Sequence, residues 1–394
     1  MSAHAMLGPS SAKRWLTCTP SAALEATFPP SSSKFADEGT LAHKLAELML
    51  KKHFTAMRPS SYKLNLAKIM EDPLYQPEMM QYISGYVEQI KAAFAEAKAV
   101  CEDPLIAFEK RLDFSEYVPD GWGTGDVIII SDGQMQVIDL KYGKGVPVDA
   151  VDNPQCRLYG LGAVLEFSVL YDIQTVKNTV IQPRLDSISS EELGADELIE
   201  WAATYVKPRA ALAAAGEGEF VPGDHCHFCR ANATCTARSN VGLAVLEFTD
   251  TPLTVLMPED FAEILPKLVI LEKWMEDFKS YALKLVLTEG FHIPGYKLVE
   301  GRSNRVITDT VGLTVALTSG TGIAPAQFYK APQMLGLADL EKVVGKKRFT
   351  ELAEPFIIKP AGKPTLVPDT DKRPELATLD AAIRDFADDA EPEE

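Results

Sequence analysis

Two aspartates stand in a segment whose pattern predicts a β-hairpin. Residues 123–145 read GTGDVIIISDGQMQVIDLKYGKG, and Asp132-Gly133 favours a two-residue turn between the β-branched runs on either side. With that turn, the register places Asp126 opposite Asp139, and directly opposed residues have Cβ atoms about 5 Å apart. Two carboxylates so close on one face could hold a cation.

Two interpretations of this pair are open. Facing carboxylates repel on apolar strands, so one aspartate could be protonated or could lie at a strand end in water. The other interpretation places a divalent cation between them, and carboxylate oxygens suit Mg²⁺ or Mn²⁺. Lys141 lies two residues beyond Asp139 and shares its face. It could then orient a metal-bound water and offset the charge that develops on a phosphate.

The hairpin lies within a pattern that mixes strands and helices. With 394 residues and 46% hydrophobic content, the chain can bury a sizeable core, and the mixture predicts an α/β or α+β fold. Beside the hairpin, the predicted strands are 105–114 and 177–185; the predicted helices are 10–18, 40–54, 78–100, 154–168 and 190–215.

A second set of chemically competent residues is the run HCHFCRANATCTAR. Its cysteines, Cys226, Cys229 and Cys235, are spaced C-x2-C-x5-C. Six cysteines in 394 residues do not make a disulfide scaffold, so the cluster favours metal ligation. A closed site usually takes four ligands; four thiolates suit [4Fe–4S] or Zn²⁺, and His225 or His227 could serve in a zinc site.

The hairpin motif resembles the D…(D/E)-x-K signature of the PD-(D/E)XK nuclease superfamily. Asp126 comes first, and IDLK supplies Asp139 and Lys141. The resemblance covers about residues 8–240. It implies a restriction-endonuclease-like core, with a mixed β-sheet flanked by helices, and metal-dependent hydrolysis of phosphodiester bonds. A C-terminal α+β extension would follow.

Further matches point to the RecB-like branch. EGTLAH places His43 in a G-x-x-x-H context, and NPQCRLYGLGA contains Gln155-x3-Tyr159, an i, i+4 pair on one helix face. Glu109 in FEKRL stands where some relatives carry an acid, although a surface charge is an equal explanation. The resemblance implies that Gln155 and Tyr159 orient the substrate or the residues around it. The implied metal ligands are His43, Asp126, Asp139 and the backbone carbonyl of Leu140, with Glu109 as a weaker candidate.

Cys18 is the candidate for the fourth thiolate. RecB-type nucleases with an iron–sulfur staple have one cysteine before the nuclease motifs and three after them, and Cys18 matches the first. The resemblance therefore implies that Cys18, Cys226, Cys229 and Cys235 hold a [4Fe–4S] cluster of structural role, with Zn²⁺ as the alternative.

The whole chain also resembles a family of uncharacterised phage and prophage proteins, in segments such as PSSAKRWLTC and VIDLKYGKGVPV. Together the resemblances imply a metal-dependent DNA nuclease, preferentially an exonuclease, in phage DNA replication or recombination. An endonuclease remains open, and so does a non-catalytic DNA-binding or scaffold protein that retains the fold. The implied partner is DNA, with a phage recombinase or a single-strand-binding protein as further candidates.

Charge and composition set the remaining expectations. The net charge is −17; ten acids and three bases place −7 of it in residues 369–394. This disfavours general nucleic-acid binding but leaves room for a local basic groove. The predicted domains are 1–240, an extension of unknown role at 245–368, and a disordered acidic tail at 369–394. Without an apolar run of membrane-spanning length or a signal-peptide pattern, we expect a cytoplasmic protein that does not bind membranes.

Overall fold

The computed structural model describes most of the chain in two compact units, Met1–Asp277 and Phe278–Glu394. The first unit reaches beyond the predicted domain 1–240. Apart from three positions, the predicted acidic tail lies outside the described residues. The described residues are 5–29, 34–143, 145, 147–248, 257–302, 305–330, 333–334, 337–358, 362, 364–368, 373–374 and 376.

The first unit is built from helices around one sheet. Its strands are β1 Leu105–Asp113, β2 Trp122–Ser131, β3 Gln134–Leu140, β4 Thr175–Gln182 and β5 Ser187–Gly194. Its helices are α1 Ala12–Thr17, α2 Ser21–Ala26, α3 Lys34–Phe54, α4 Pro59–Met70, α5 Pro77–Val100, α6 Pro154–Phe167, α7 Ala195–Trp201, α8 Lys207–Ala215 and α9 Thr236–Leu243. The long helix α10, Pro258–Glu289, begins in this unit and ends in the second.

The sheet is mixed, and its strand order is β1-β2-β3-β4-β5. Strands β3 and β4 are parallel, whereas the other neighbours are antiparallel. Helix α6 makes the crossover that a parallel pair requires. The predicted α/β class, with a mixed sheet flanked by helices, is confirmed.

The hairpin forms in the predicted register. Gly133 adopts a positive φ of 71°, which glycine tolerates without steric cost. The paired positions run from Ser131–Gln134 to Val127–Ile138. The ladder ends there, one position before Asp126 and Asp139. These two aspartates stand opposite each other in the predicted register, but they are not a backbone-paired position.

The alternation of the strands gives the sheet two buried faces. Ile128 and Ile130 pack into one core with α6, whereas Val127 and Ile129 pack into another with α3 and α5. The residues between the two helical layers therefore read as an almost continuous apolar run, as expected for buried strands.

Two glycines allow α6 to pack closely on the sheet. A Cβ atom on Gly123 of β2 would lie 2.8 Å from Cε1 of Tyr159. A Cβ atom on Gly160 would lie 2.9 Å from Oδ1 of Asn178 in β4. These contacts fix the helix that carries Tyr159 against the strands that carry the aspartates.

The helix predicted over 190–215 is wrong at its beginning. Residues up to Gly194 form the strand β5, and the helix starts at Ala195 and continues through a π-helical turn, Ala202–Val206. Strand β5 is the edge of the sheet, where a polar sequence such as SISSEELG can face water. That composition does not distinguish an edge strand from a helix.

The second unit has helices and short antiparallel strand pairs, as predicted for a C-terminal α+β extension. Its small core includes Leu313, Leu317, Phe328, Leu340 and Phe349. The helices are α11 Thr310–Thr321, α12 Leu337–Val344 and α13 Lys346–Ala353; the strands are β6 Tyr296–Glu300, β7 Val306–Ile307, β8 Tyr329–Lys330, β9 Gln333–Met334, β10 Ile357–Ile358 and β11 Pro364–Pro368. Among the helices of the described residues, none has the length and apolarity needed to span a membrane.

Candidate metal centre

Three side chains from separate elements meet beside the hairpin. His43 comes from α3, Glu109 from β1 and Asp126 from β2, and one ligand atom from each lies within 4.8 Å of the other two. Nδ1 of His43 is 3.2 Å from Oδ1 of Asp126. The backbone N–H of Leu140 donates to Oδ2 of Asp126 at 2.7 Å, which holds the carboxylate across the hairpin.

A backbone irregularity accompanies Glu109. Its φ is 47°, in the left-handed region that non-glycine residues rarely adopt. It falls between the pairs Phe108–Val127 and Lys110–Gly125, so it stands opposite Asp126 in the register. Such strain costs about 1–3 kcal/mol and clusters at functional sites. Glu109, a weaker candidate from the sequence, is thus brought together with His43 and Asp126.

Asp139 and Lys141 form an ion pair next to this group. Nζ of Lys141 lies 2.7 Å from Oδ2 of Asp139. Asp139 is only 5% exposed, and the Lys141 ammonium group is the partner of its Oδ2. Asp139 is not one of the three residues whose ligand atoms already converge. It nevertheless lies close enough to Asp126 and His43 for their charges to act on it.

Gln155 and Tyr159 reach the site from α6. Nε2 of Gln155 donates to the Tyr159 hydroxyl at 3.3 Å. Burial and the nearby charge of Asp139 raise the pKa of Tyr159, whereas Lys141 opposes the shift. The structure therefore gathers the predicted side chains of both helices, α3 and α6, at the hairpin. The N–H group of Leu140 donates to Asp126. That the Leu140 carbonyl is a metal ligand stays a prediction.

Tyr86 is a neighbour that the sequence did not single out. It lies on α5, is 1% exposed, and its hydroxyl has no hydrogen-bond partner among the described residues. Burial raises its pKa, and the charges of Asp126, Asp139 and Glu109 raise it further. An aromatic residue in an apolar helix face is normally core, and no local motif marks Tyr86 as different.

The carboxylates of the site control the protonation of His43 and Glu109. Burial lowers the pKa of His43, but the charge of Asp126, assisted by Asp139 and Glu109, raises it to about 9. Burial and the charge of Asp126 raise the pKa of Glu109 to about 7. Near neutral pH the metal-free site therefore holds protons on His43 and Glu109, and a bound cation would have to displace these protons.

The four candidate cysteines line one small pocket in the same unit. Cys18 caps the end of α1, and Cys226, Cys229 and Cys235 approach it from the segment before α9. Burial raises the pKa of Cys229 to about 11 and also raises the pKa of Cys18 and Cys226. No three of the sulfur atoms lie within 4.8 Å of one another, so the structure shows a shared pocket rather than a formed single-ion site.

Two guanidinium groups border the cysteine pocket. Arg14 is paired with Glu25 at 2.7 Å, and Arg238 is paired with Asp277 at 2.5 Å. Arg238 is 1% exposed, and its Nε has no hydrogen-bond partner among the described residues. Arg14 lowers the pKa of Cys226 and Cys229, and Arg238 lowers that of Cys226, but burial outweighs both and keeps these pKa values raised.

The two histidines of the segment have other partners. Nε2 of His225 lies 2.9 Å from the carbonyl oxygen of Val221. Nδ1 of His227 lies 3.7 Å from Oδ1 of Asp277. Because a metal-ligating histidine normally gives its other ring nitrogen to such a partner, these contacts do not distinguish a histidine ligand from four thiolates.

A family model described as "Protein of unknown function (DUF2800)" matches residues 4–374. The chain belongs to this family. The match includes both the candidate metal centre and the four cysteines. A solved structure described as "Crystal structure of SSO0001" is similar over 58% of this chain and 95% of its own, at 14% identity and a TM-score of 0.22. That likeness carries no argument about function, and the family description assigns no activity.

The residues present fit a hard divalent cation. The carboxylate oxygens suit Mg²⁺ or Mn²⁺, whereas the imidazole of His43 is a softer donor that also suits zinc and iron. The three carboxylates around His43 are a costly arrangement without a cation. A bound ion would offset this cost.

Mn²⁺ affinity is expected to rise with pH. Ligands bind metal in their deprotonated forms, and the pKa of Glu109 is about 7 while that of His43 is about 9. Affinity measured by calorimetry should therefore increase as pH rises through about 7 and continue to increase toward about 9. In the variant Glu109→Gln, the increase in affinity near pH 7 should be lost, whereas the increase toward pH 9 should remain. Equal affinity across this range would contradict the ligand assignment.

Proposed function

We propose that this chain is a Mg²⁺- or Mn²⁺-dependent nuclease that hydrolyses DNA phosphodiester bonds, with an exonuclease mode as the preferred one. The observation that supports it most is the meeting of His43, Glu109 and Asp126, from three different elements, within 4.8 Å. The ion pair of Asp139 and Lys141 lies beside that meeting point. This combination suits phosphoryl chemistry, in which charge stabilisation and positioning carry most of the catalysis.

The ligand set would be formed by His43, Glu109, Asp126 and Asp139. A bound cation would supply a polarised phosphate and a more acidic water. Leu140 restrains the Asp126 carboxylate through its N–H group, so one ligand oxygen is fixed before binding. This preorganisation lowers the cost of assembling the site.

Lys141 would act as a fixed positive charge. Burial lowers its pKa, but Asp139, Tyr159 and Asp126 together raise it more, and the net shift is upward. The ammonium group therefore stays protonated near neutral pH and cannot serve as the base. It would orient the attacking water and stabilise the charge that develops on the phosphate. Gln155 and Tyr159 would position the substrate through their paired polar groups.

We also propose that the cysteine pocket holds a [4Fe–4S] cluster of structural role. The four cysteines line one pocket, and four thiolates are ligands that such a cluster accepts, as zinc does. The cluster is preferred because one cysteine before the nuclease motifs and three after them match the pattern of the RecB-type nucleases with an iron–sulfur staple. Its place between residue 18 and residue 226 would tie the two ends of the nuclease region together.

The proposal is tested with linear and covalently closed circular DNA. Full-length protein, purified without oxygen, is incubated with Mn²⁺ and either substrate in single- and double-stranded form. Release of nucleotides from linear DNA only would support the exonuclease mode. Cleavage of the closed circle would support an endonuclease instead, and no cleavage of any substrate would contradict the function.

A further inference from the structure

One segment of this acidic protein is strongly basic. Residues 44–70 contain six lysine or arginine residues and a single acid, Glu47, whereas the whole chain has a net charge of −17. The segment spans most of α3, all of α4 and the connection between them. Its net charge of +5 is therefore a local exception that the overall composition conceals.

The basic residues border a groove between the two helices. Lys44 and Lys51 line it from α3, and Lys68 and Asn65 line it from α4. The groove has a volume of 340 Å³. Lys44 and Lys51 are seven residues apart, so they lie on one helix face about 10.5 Å apart along the axis. Glu47, the partner of Lys51, lines the groove as well, so the unpaired charges there are those of Lys44 and Lys68.

Most of this charge is uncompensated. Lys51 pairs with Glu47 at 2.5 Å. By contrast, Lys44, Lys63 and Lys68 are exposed and form no salt bridge within the part of the chain that the structure describes. An exposed row of unpaired lysines attracts a polyanion and releases its counterions on binding.

The groove and the candidate metal centre share helix α3. Lys44 directly follows the proposed ligand His43 on α3. Among the groups that act on Glu109 in the metal site are Glu47 and Lys51 of the same helix. Residues that line the groove therefore lie near the metal centre, within reach of a DNA strand held there.

We propose that this groove, between α3 and α4, binds the phosphodiester backbone of the DNA strand that is held in the metal centre. This inference rests on the proposed nuclease function, and it names the surface that guides the substrate. Lys44 on α3 and Lys68 on α4 offer unpaired positive charges to phosphates from the two sides of the groove, and Asn65 adds a neutral donor. Contacts to phosphates carry no sequence information, so binding here is independent of DNA sequence.

The double variant Lys44→Ala/Lys68→Ala tests this surface. Binding of fluorescein-labelled single-stranded and duplex DNA is followed by anisotropy in EDTA, over a series of salt concentrations. Each phosphate contact contributes about 0.7 to the slope of log affinity against log salt for a single strand, and about 0.9 for a duplex. The variant should bind more weakly, and its slope should fall by roughly 1.4 for a single strand.

The matched control is Lys98→Ala/Lys279→Ala, which removes two exposed lysines outside the groove. It should bind as the wild type does, and unfolding curves of both variants should match the wild type. The inference is overturned if the groove variant keeps the wild-type slope, or if wild-type protein does not bind DNA. Its failure is distinguishable from failure of the nuclease, because DNA hydrolysis by the wild type in Mn²⁺ is measured separately.

Discussion

Asp126→Asn is expected to reduce Mn²⁺-dependent DNA hydrolysis by about 10³-fold, since loss of a metal ligand removes several kcal/mol of transition-state stabilisation. Mn²⁺ affinity should fall with it. The asparagine oxygen can still accept the 2.7 Å hydrogen bond from Leu140, so the hairpin should remain intact. Hydrolysis is measured with end-labelled DNA, and affinity by calorimetry.

Asp132→Asn provides the control for this variant. It makes the same chemical change in the exposed turn of the same hairpin, and Asn-Gly favours the same turn type. This variant should hydrolyse DNA at the wild-type rate. In metal-free Asp126→Asn the pKa of His43 should fall below about 9, because Asp126 is the main group that raises it. Full activity of Asp126→Asn would contradict the ligand assignment.

Cys18→Ser is expected to abolish binding of the proposed iron–sulfur cluster and to destabilise the first unit. A link between residue 18 and residue 226 closes a long loop, and the loop-entropy estimate for such a cross-link is about 5 kcal/mol. The contacts that remain, such as Thr19 to Glu217 and Glu25 to Arg230, tie the segments less firmly. Iron, sulfide and zinc content and thermal unfolding are the measurements.

Cys101→Ser is the matched control, because Cys101 is a half-buried cysteine at the end of α5 and does not line the pocket. It should retain wild-type metal content and stability. If anaerobically purified wild type contains zinc and no iron, the cysteine pocket binds Zn²⁺ and the iron–sulfur proposal is wrong. Full metal content in Cys18→Ser would contradict the assignment of Cys18.

The hairpin could be predicted from local chemistry alone. Asp132-Gly133 set the turn, and the turn set a register that the structure follows from Ser131 to Val127. Strong local signals of this kind depend on few distant contacts. The same register placed Asp126 close to Asp139 and, by alternation, put Lys141 beside Asp139.

Other parts of the site depend on long-range geometry. Glu109 is followed by Lys110 and Arg111, so its sequence context resembles a solvated surface. Only its positive φ and its position opposite Asp126 bring it to the metal centre. Tyr86 is similar, because the pattern of α5 fixes its burial but not the acidic groups that surround its hydroxyl.

The basic groove illustrates a limit of composition. A net charge of −17 favours partners other than nucleic acid, and a sum over the chain cannot show where charge is concentrated. The pairing of α3 with α4 brings Lys44 and Lys68, which are distant in sequence, to the same groove. A binding surface of this kind requires the fold.

The most direct measurement is metal-dependent release of labelled nucleotides from DNA by full-length, anaerobically purified protein, beside the variant Asp139→Ala. The account predicts release by the wild type in Mn²⁺ or Mg²⁺, none in EDTA, and a near-complete loss in Asp139→Ala, because the variant removes the carboxylate that lies 2.7 Å from Lys141. Wild-type protein that releases no more label than Asp139→Ala, in either metal, would contradict it.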